Sequence, residues 1–200
     1  MASGDEDADL MLRVKRGDLA AFESLVNKYK QAAINLAART LGDPDEAEDV
    51  AQAAFVQAYK AADRYTPTAK FTTWFFTIVR NLCLNEIRRR NRHPADRLES
   101  VRDEQGDEPP RQVEDRKSFG PAEETLQGEL ESKVKEALYQ LPENQRMAIL
   151  FCSDQELSYE EISDILGCSL SATKSLIFRG RERLKMILKE YLKTGNWTVK

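Results

Sequence analysis

Histidine and cysteine are scarce in this chain. Among 200 residues there is one histidine, His93, and three widely separated cysteines, Cys83, Cys152 and Cys168. An odd number of distant cysteines excludes a disulfide framework, and one histidine is too few for the Cys/His spacing of a zinc site. No Ser/His/Asp constellation and no glycine-rich phosphate loop is present, so neither an enzyme, a metal, a cofactor nor a small-molecule substrate is expected. No apolar run approaches the ~20 residues needed to span a bilayer. The first nine residues are acidic, where a secretory leader would be basic and then apolar, and these features point to the cytoplasm. Period-two alternation is missing throughout, so the expected fold is all-α.

What is present is a segregated charge pattern. The net charge of −4 and pI near 5.3 alone argue against a nucleic-acid binder. Yet Arg64 to His93 carries seven lysines and arginines against one acid, Glu86. Pro94 to Glu131 carries twelve acids against five bases, and Leu170 to Lys189 returns six bases against Glu182. The order is basic, acidic, basic.

Apolar residues at Leu19, Phe22, Leu25, Val26, Tyr29, Ala33 and Leu36 predict a core-facing helix that stops at Gly42. Asp43-Pro44 then supplies an N-cap and a proline at the first helical position for a second helix over about 44–63. Tyr65-Thr66-Pro67-Thr68 breaks it, and a third helix runs from about Thr72 into Arg88-Arg89-Arg90. The segment 94–122, with Pro109-Pro110, two glycines and many acids, is too polar to bury a core and reads as a flexible linker. Helical spacing resumes with Leu126, Leu130, Val134, Leu138 and Leu141. Ser158-Tyr159-Glu160-Glu161 is a capping box, Gly167 closes the short helix it opens, and a basic helix follows. That helix-turn-helix should turn Leu170, Thr173, Leu176 and Ile177 inward and Lys174, Ser175, Phe178 and Arg179 outward.

Phe71, Trp74, Phe75 and Phe76 beside Asn81, Asn85 and the arginine run combine base-stacking surface with phosphate-binding charge, the two needs of single-strand binding. Phe75 and Phe76 are expected in the core, as an amphipathic helix requires such residues whatever it binds. Cys83 and Cys152 read as small core residues, Cys168 as a turn residue.

Two stretches carry a family resemblance. Ala47-Glu48-Asp49-Val50-Ala51-Gln52-Ala53-Ala54-Phe55, followed by Phe71-Thr72-Thr73-Trp74-Phe75 and Arg80-Asn81, resembles region 2 of the extracytoplasmic-function (group four) sigma factors of the sigma-70 family. Leu141-Pro142-Glu143 through Leu157-Ser158-Tyr159-Glu160-Glu161-Ile162 to Arg179-Gly180-Arg181 resembles their region 4. The resemblance implies region 2 over 10–93, a linker over 94–122 and region 4 over 123–192. It further implies that Glu48, Asp49, Gln52 and Phe55 dock on the clamp helices of core RNA polymerase. Tyr65, Lys70, Phe71, Trp74, Asn81, Asn85, Arg88 and Arg89 would engage the minus-ten element and a base flipped from its stack. Lys174, Ser175, Phe178, Arg179 and Arg181 would read the minus-thirty-five element, with the apolar face from Leu141 to Leu150 against the polymerase flap.

The resemblance also implies a linker that threads the polymerase channels, and an anti-sigma factor, membrane-bound in some relatives, that holds the protein inactive at the inner membrane face. Thr77-Ile78 stands where primary sigma factors carry a melting wedge of two aromatics, which implies stricter promoter demands. Lys174 and Leu176 stand where some relatives have arginine. The rival from another class is a helix-turn-helix regulator that binds duplex DNA without polymerase.

Overall fold

The computed structural model describes residues 5–92, 121–154 and 157–194, and every regular element among them is helical. The chain order is α1 (Glu6–Val14), α2 (Leu19–Leu41), α3 (Pro44–Ala61), a 3-10 turn (Ala62–Arg64) and α4 (Phe71–Arg92). The second half holds α5 (Pro121–Tyr139), α6 (Glu143–Asp154), α7 (Tyr159–Leu166) and α8 (Leu170–Thr194). The linker expected over 94–122 and its course through the polymerase fall outside the described residues, except that α5 already begins at Pro121.

The helix punctuation follows local chemistry. Asp18 caps α2 by accepting the Ala21 N–H, and Gly42 ends it in the left-handed conformation at φ 85°. Asp43 takes the Asp45 and Glu46 N–H groups, with Pro44 at the first helical position of α3. Helices α2 and α3 approach through alanines: Ala33, Ala37, Ala47, Ala51, Ala54 and Ala58 are all essentially buried. Small side chains at a crossing shorten the interaxial distance. Larger residues of α4, Phe71, Phe75, Phe76 and Val79, complete this core, and Phe75 and Phe76 lie in it as expected. Cys83 is fully buried there, and burial pushes its thiol up to about 12, which makes it inert near neutrality.

Two features depart from the sequence expectations. Leu19, placed on the core face by periodicity, is 65% exposed. The acidic start was not expected to be helical, but Asp5 caps α1, whose Ala8, Met11 and Val14 join the core. Asp7 is buried within it and paid for by three bonds: Lys28 Nζ donates to both carboxylate oxygens at 2.7 Å, and the Tyr29 hydroxyl donates to Oδ2 at 2.5 Å. Burial, then this carboxylate, raises the Tyr29 phenol far above its ordinary value.

In the second half, α6, α7 and α8 enclose Met147, Leu150, Phe151, Ile162, Ile165 and Ile177. Gly180 lies where α8 crosses α6: an added Cβ would stand 2.6 Å from Ile149 Cδ1. A glycine inside a helix costs about 1 kcal/mol relative to alanine, and this close crossing explains its presence.

The two halves dock. At the end of α2 the Thr40 and Leu41 carbonyls lie past the reach of helical N–H groups, the Ala38 carbonyl already takes the Gly42 N–H, and both halves supply further donors. The Tyr139 hydroxyl donates to the Ala38 carbonyl at 3.0 Å, Arg146 Nη1 to Thr40 at 2.6 Å, and Arg90 Nη1 to Leu41 at 2.8 Å. The negative end of the helix dipole favours the two guanidinium groups. Arg146 also stands 5.1 Å over the Tyr139 ring, and Phe76 meets Phe151 edge-on at 6.2 Å. At the other end of α4, Lys70 Nζ pairs with Glu161 Oε1 of α7 at 2.7 Å. One continuous apolar cluster runs through both halves.

Candidate nucleic-acid interface

Helix α4 presents two faces. The buried one carries Phe71, Phe75, Phe76 and Val79; the opposite one exposes Asn81, Asn85, Arg88 and Arg92 at spacings of four, three and four. Arg88 Nη1 donates to Asn85 Oδ1 at 3.3 Å and Arg80 Nη1 to Asn81 Oδ1 at 3.2 Å. These contacts pre-orient two amides and a guanidinium along one stripe. Trp74, half-buried at its upper end, packs on Tyr65 at 4.9 Å between ring centroids.

Not every expected residue joins that stripe. Phe71 is 1% and Tyr65 3% exposed, so in this conformation neither ring can stack on a base; they support the intervening loop from beneath. Burial, with the nearby Asp5 and Asp7 charges, pushes the Tyr65 phenol up to about 12. Arg89 was expected on phosphate because its run held one acid, yet it forms an ion pair with Glu86 at 2.7 Å and approaches Glu46 at 3.7 Å. Arg90 pairs with Glu46 as well. Glu46 lies more than forty residues upstream, so the local charge count could not reveal it. Lys70 is exposed but carries its ion pair to Glu161.

On α3, Glu48, Asp49 and Gln52 are exposed, whereas Phe55 is 8% exposed and packs on Phe75 at 4.7 Å and Phe22 at 6.4 Å. Two residues that sequence reasoning missed continue the exposed stripe: Val56 at 52% and Tyr59 at 45% exposure. Asp49, Gln52, Val56 and Tyr59 follow a three-four-three spacing, the signal that could have found them. With Leu19 and the edge of Phe22, which lies 5.1 Å from Tyr59, they form an apolar patch bordered by acids.

The helix-turn-helix forms as expected. Ser158 Oγ accepts the Glu161 N–H at 3.2 Å while Glu161 Oε2 accepts the Ser158 N–H at 2.8 Å, and Gly167 closes α7 at φ 64°. Thr173 and Ile177 are buried, Leu170 and Leu176 half-buried. Lys174, Phe178, Arg179 and Arg181 are exposed, Phe178 at 67%, and Ser175 is half-buried with its hydroxyl on the Ser171 carbonyl. Leu170, Ser171, Lys174, Ser175, Phe178 and Arg179 line an open groove. Arg181 turns from it, donating to Cys152 Sγ at 3.2 Å. The apolar residues of the 141–150 face, Leu141, Met147, Ala148 and Leu150, are buried in the docked arrangement. Among the described residues no group of His, Cys, Asp or Glu could hold a metal, and no helix is long and apolar enough to cross a membrane.

Among the described residues, an all-helical fold sets a basic stripe on one unit and a helix-turn-helix in the other, two surfaces of the kind that meets DNA. The family model for sigma-70 region 2 matches residues 25–93, and that for sigma-70 region 4 matches residues 132–184. The RNA polymerase sigma-H factor of Pseudomonas aeruginosa is 35% identical over 96% of this chain and 99% of its own length. The ECF RNA polymerase sigma factor SigW of Bacillus subtilis is 33% identical over 89% and 94%, and the sigma-E factor of Escherichia coli K12 34% over 89% and 92%. Among solved structures, the sigma factor RpoE of Bartonella quintana, in complex with the anti-sigma factor NepR, aligns with a TM-score of 0.63 and 25% identity over 84% of this chain and 96% of that one. CnrH in complex with the cytosolic domain of CnrY aligns with a TM-score of 0.65 over 92% and 97%, at an identity of 24% that speaks for the fold alone. The chain belongs to the sigma-70 family, in its extracytoplasmic-function group, and acts in transcription initiation as a promoter-recognition partner of core RNA polymerase.

Proposed function

We propose that this chain is an alternative sigma factor of a stress or envelope response, that it acts in the cytoplasm without catalysing a reaction itself, and that it divides its work among three surfaces. The α3 stripe of Glu48, Asp49, Gln52, Val56 and Tyr59 docks on the polymerase clamp, its acids facing a basic partner and its apolar residues supplying buried area. The α4 stripe of Asn81, Asn85 and Arg88, with the loop before it, takes the non-template strand of the minus-ten element. Lys174, Phe178 and Arg179 of α8 enter the major groove of the minus-thirty-five element. The observation that carries this reading is that the α3 and α4 stripes are both exposed while the two helices pack on one core. One domain can therefore bind polymerase and DNA at once.

The docked arrangement has to open for this. The two elements lie ~25 base pairs apart, roughly 85 Å of duplex at 3.4 Å per pair. A compact chain of this length is only ~40 Å across. The 28 residues 93–120 reach roughly 90–100 Å if extended, enough to let region 4 leave region 2. Opening also releases Tyr139 and Arg146 from the α2 carbonyls. An anti-sigma factor that binds the closed or partly opened chain would oppose it, and the similarity to RpoE of Bartonella quintana, solved in complex with the anti-sigma factor NepR, supports that role.

The test is run-off transcription of sheared genomic DNA by purified core polymerase, with and without the protein, followed by mapping of transcript starts. New starts sharing two upstream elements are expected. No new starts, with duplex binding by the protein alone, would refute the reading. Alanine at both Asn81 and Arg88 should cut initiation at those starts at least tenfold and leave polymerase binding within about twofold. Loss of polymerase binding would overturn the division of faces.

A further inference from the structure

The loop between the 3-10 turn and α4 exposes Thr66 to Lys70 and is bracketed by two buried aromatics, Tyr65 and Phe71, whose rings are 6.4 Å apart. Both of its ends are tied to α1. Lys15 Nζ, just past the end of α1, donates to the Tyr65 carbonyl at 3.0 Å. Asp5, just before α1, accepts the Phe71 N–H on Oδ2 at 2.7 Å and the Asp7 N–H on Oδ1 at 3.2 Å. A single carboxylate thus caps two helices.

This arrangement compensates for a local deficiency. The residue before Phe71 is Lys70, whose ammonium has no acceptor with which to cap α4. A helix start normally takes such an acceptor from its own N-cap side chain. Asp5 supplies it from 66 positions away, and its charge suits the positive end of the α4 dipole.

We infer that Asp5 and Lys15 are positioning residues for minus-ten recognition: by fixing both ends of the 65–70 loop, α1 presets the pocket that receives a flipped non-template base. This rests on the assignment of the loop and α4 to the minus-ten element. Neither residue touches DNA; each acts through the backbone of the loop. A base leaves its stack at a cost in stacking and pairing, so a loop ordered beforehand spares the complex part of the ordering cost.

The test uses holoenzyme assembled from core polymerase and the full chain, with anisotropy of a labelled single-stranded oligonucleotide carrying the mapped non-template minus-ten sequence. Asp5→Ala and Lys15→Met should each weaken binding roughly tenfold, the scale of one or two lost charge-assisted hydrogen bonds. Lys15→Arg, which keeps a donor, should restore it to within about threefold. Binding of a minus-thirty-five duplex should be unchanged. Asp7→Asn is the control for stability, because it loosens the same helix without removing a hydrogen bond to the backbone of either loop end. If Asp7→Asn weakens the probe as much as Asp5→Ala, the effect is one of folding and the inference fails. If Asp5→Ala and Lys15→Met bind normally while the Asn81/Arg88 double alanine variant does not, α1 has no positioning role. If the double variant also binds normally, the minus-ten assignment itself falls and takes this inference with it.

Discussion

The helix-turn-helix and the unit of the 65–70 loop with α4 are held in shape by contacts of opposite range. In the helix-turn-helix, the fixing bonds span a handful of residues: Ser158 with Glu161, the Cys168 N–H on the Ser163 carbonyl at 3.1 Å, the Ala172 N–H on Ser169 Oγ at 3.2 Å, and Cys168 Sγ with Thr173 Oγ1 at 3.2 Å. In the loop and α4, they span 66, 50 and 49 residues: Asp5 to Phe71, Lys15 to Tyr65, Arg90 to Leu41. A major-groove reader needs one stiff helix at one angle, which a cap and a turn can provide. A pocket for an extruded base needs a loop held open against collapse, which local chain chemistry alone does not provide.

The comparison predicts that polar changes in α1 are felt far more widely than polar changes in the turn. Asp7→Ala should be the most damaging. It strands the Tyr29 hydroxyl in the core and removes the partner of Lys28, although Lys28, half-exposed, can turn to water. The expected loss is about 2–3 kcal/mol in urea unfolding. A loss below about 0.5 kcal/mol would mean that the α1 network adds little, and the contrast between the halves would weaken.

The turn should respond less. Gly167 sits at φ 64° with open space where a Cβ would go, so Gly167→Ala bears only the left-handed backbone cost of about 1–2 kcal/mol. Ser158→Ala should cost about 1 kcal/mol by removing the cap. Both should lower affinity for a minus-thirty-five duplex and leave single-strand binding alone. Equal effects on the two probes would show that the units are coupled rather than separately held.

That same contrast governs what could be read in advance. The Asp43-Pro44 start, the Ser158/Glu161 box, the Gly42 and Gly167 ends and the inward Thr173 and Ile177 were legible because each signal lies within a few residues. The outward placement of Lys174, Phe178 and Arg179 followed from the same periodicity. Helix α1 was hidden because its acids look like a solvated start, when one is a cap and another is buried against Lys28 and Tyr29. Arg90 looked unopposed because Glu46 lies in another helix, whereas Arg89 takes Glu86, the one acid of its own run. Leu19, Val56 and Tyr59 were misplaced or overlooked for a different reason: periodicity ranks a helix face as apolar but does not say whether core or partner covers it. The apolar patch they form is what a partner surface would cover.

One contact joins the two regimes, and breaking it should have the smallest effect. Glu161 caps α7 locally and pairs with Lys70 of the loop before α4. Partial burial alone would raise its carboxyl, but Lys70 and the Ser158 N–H and hydroxyl outweigh this and hold it below its ordinary value, while Glu161 raises Lys70. A depressed carboxyl contributes fully above its ordinary range, ~4.3, and its contribution fades as pH falls through the depressed value. Lys70→Gln should therefore lower the docking equilibrium constant at neutral pH by roughly two- to fivefold, the scale of one largely exposed ion pair. It should also flatten the acid limb of docking, read by energy transfer between dyes on the two halves from pH 6 to pH 3. Coincident curves for the two proteins would show that the pair adds nothing, leaving Arg146 and Tyr139 on the α2 carbonyls, with the apolar contacts around Phe76 and Phe151, to hold the halves together.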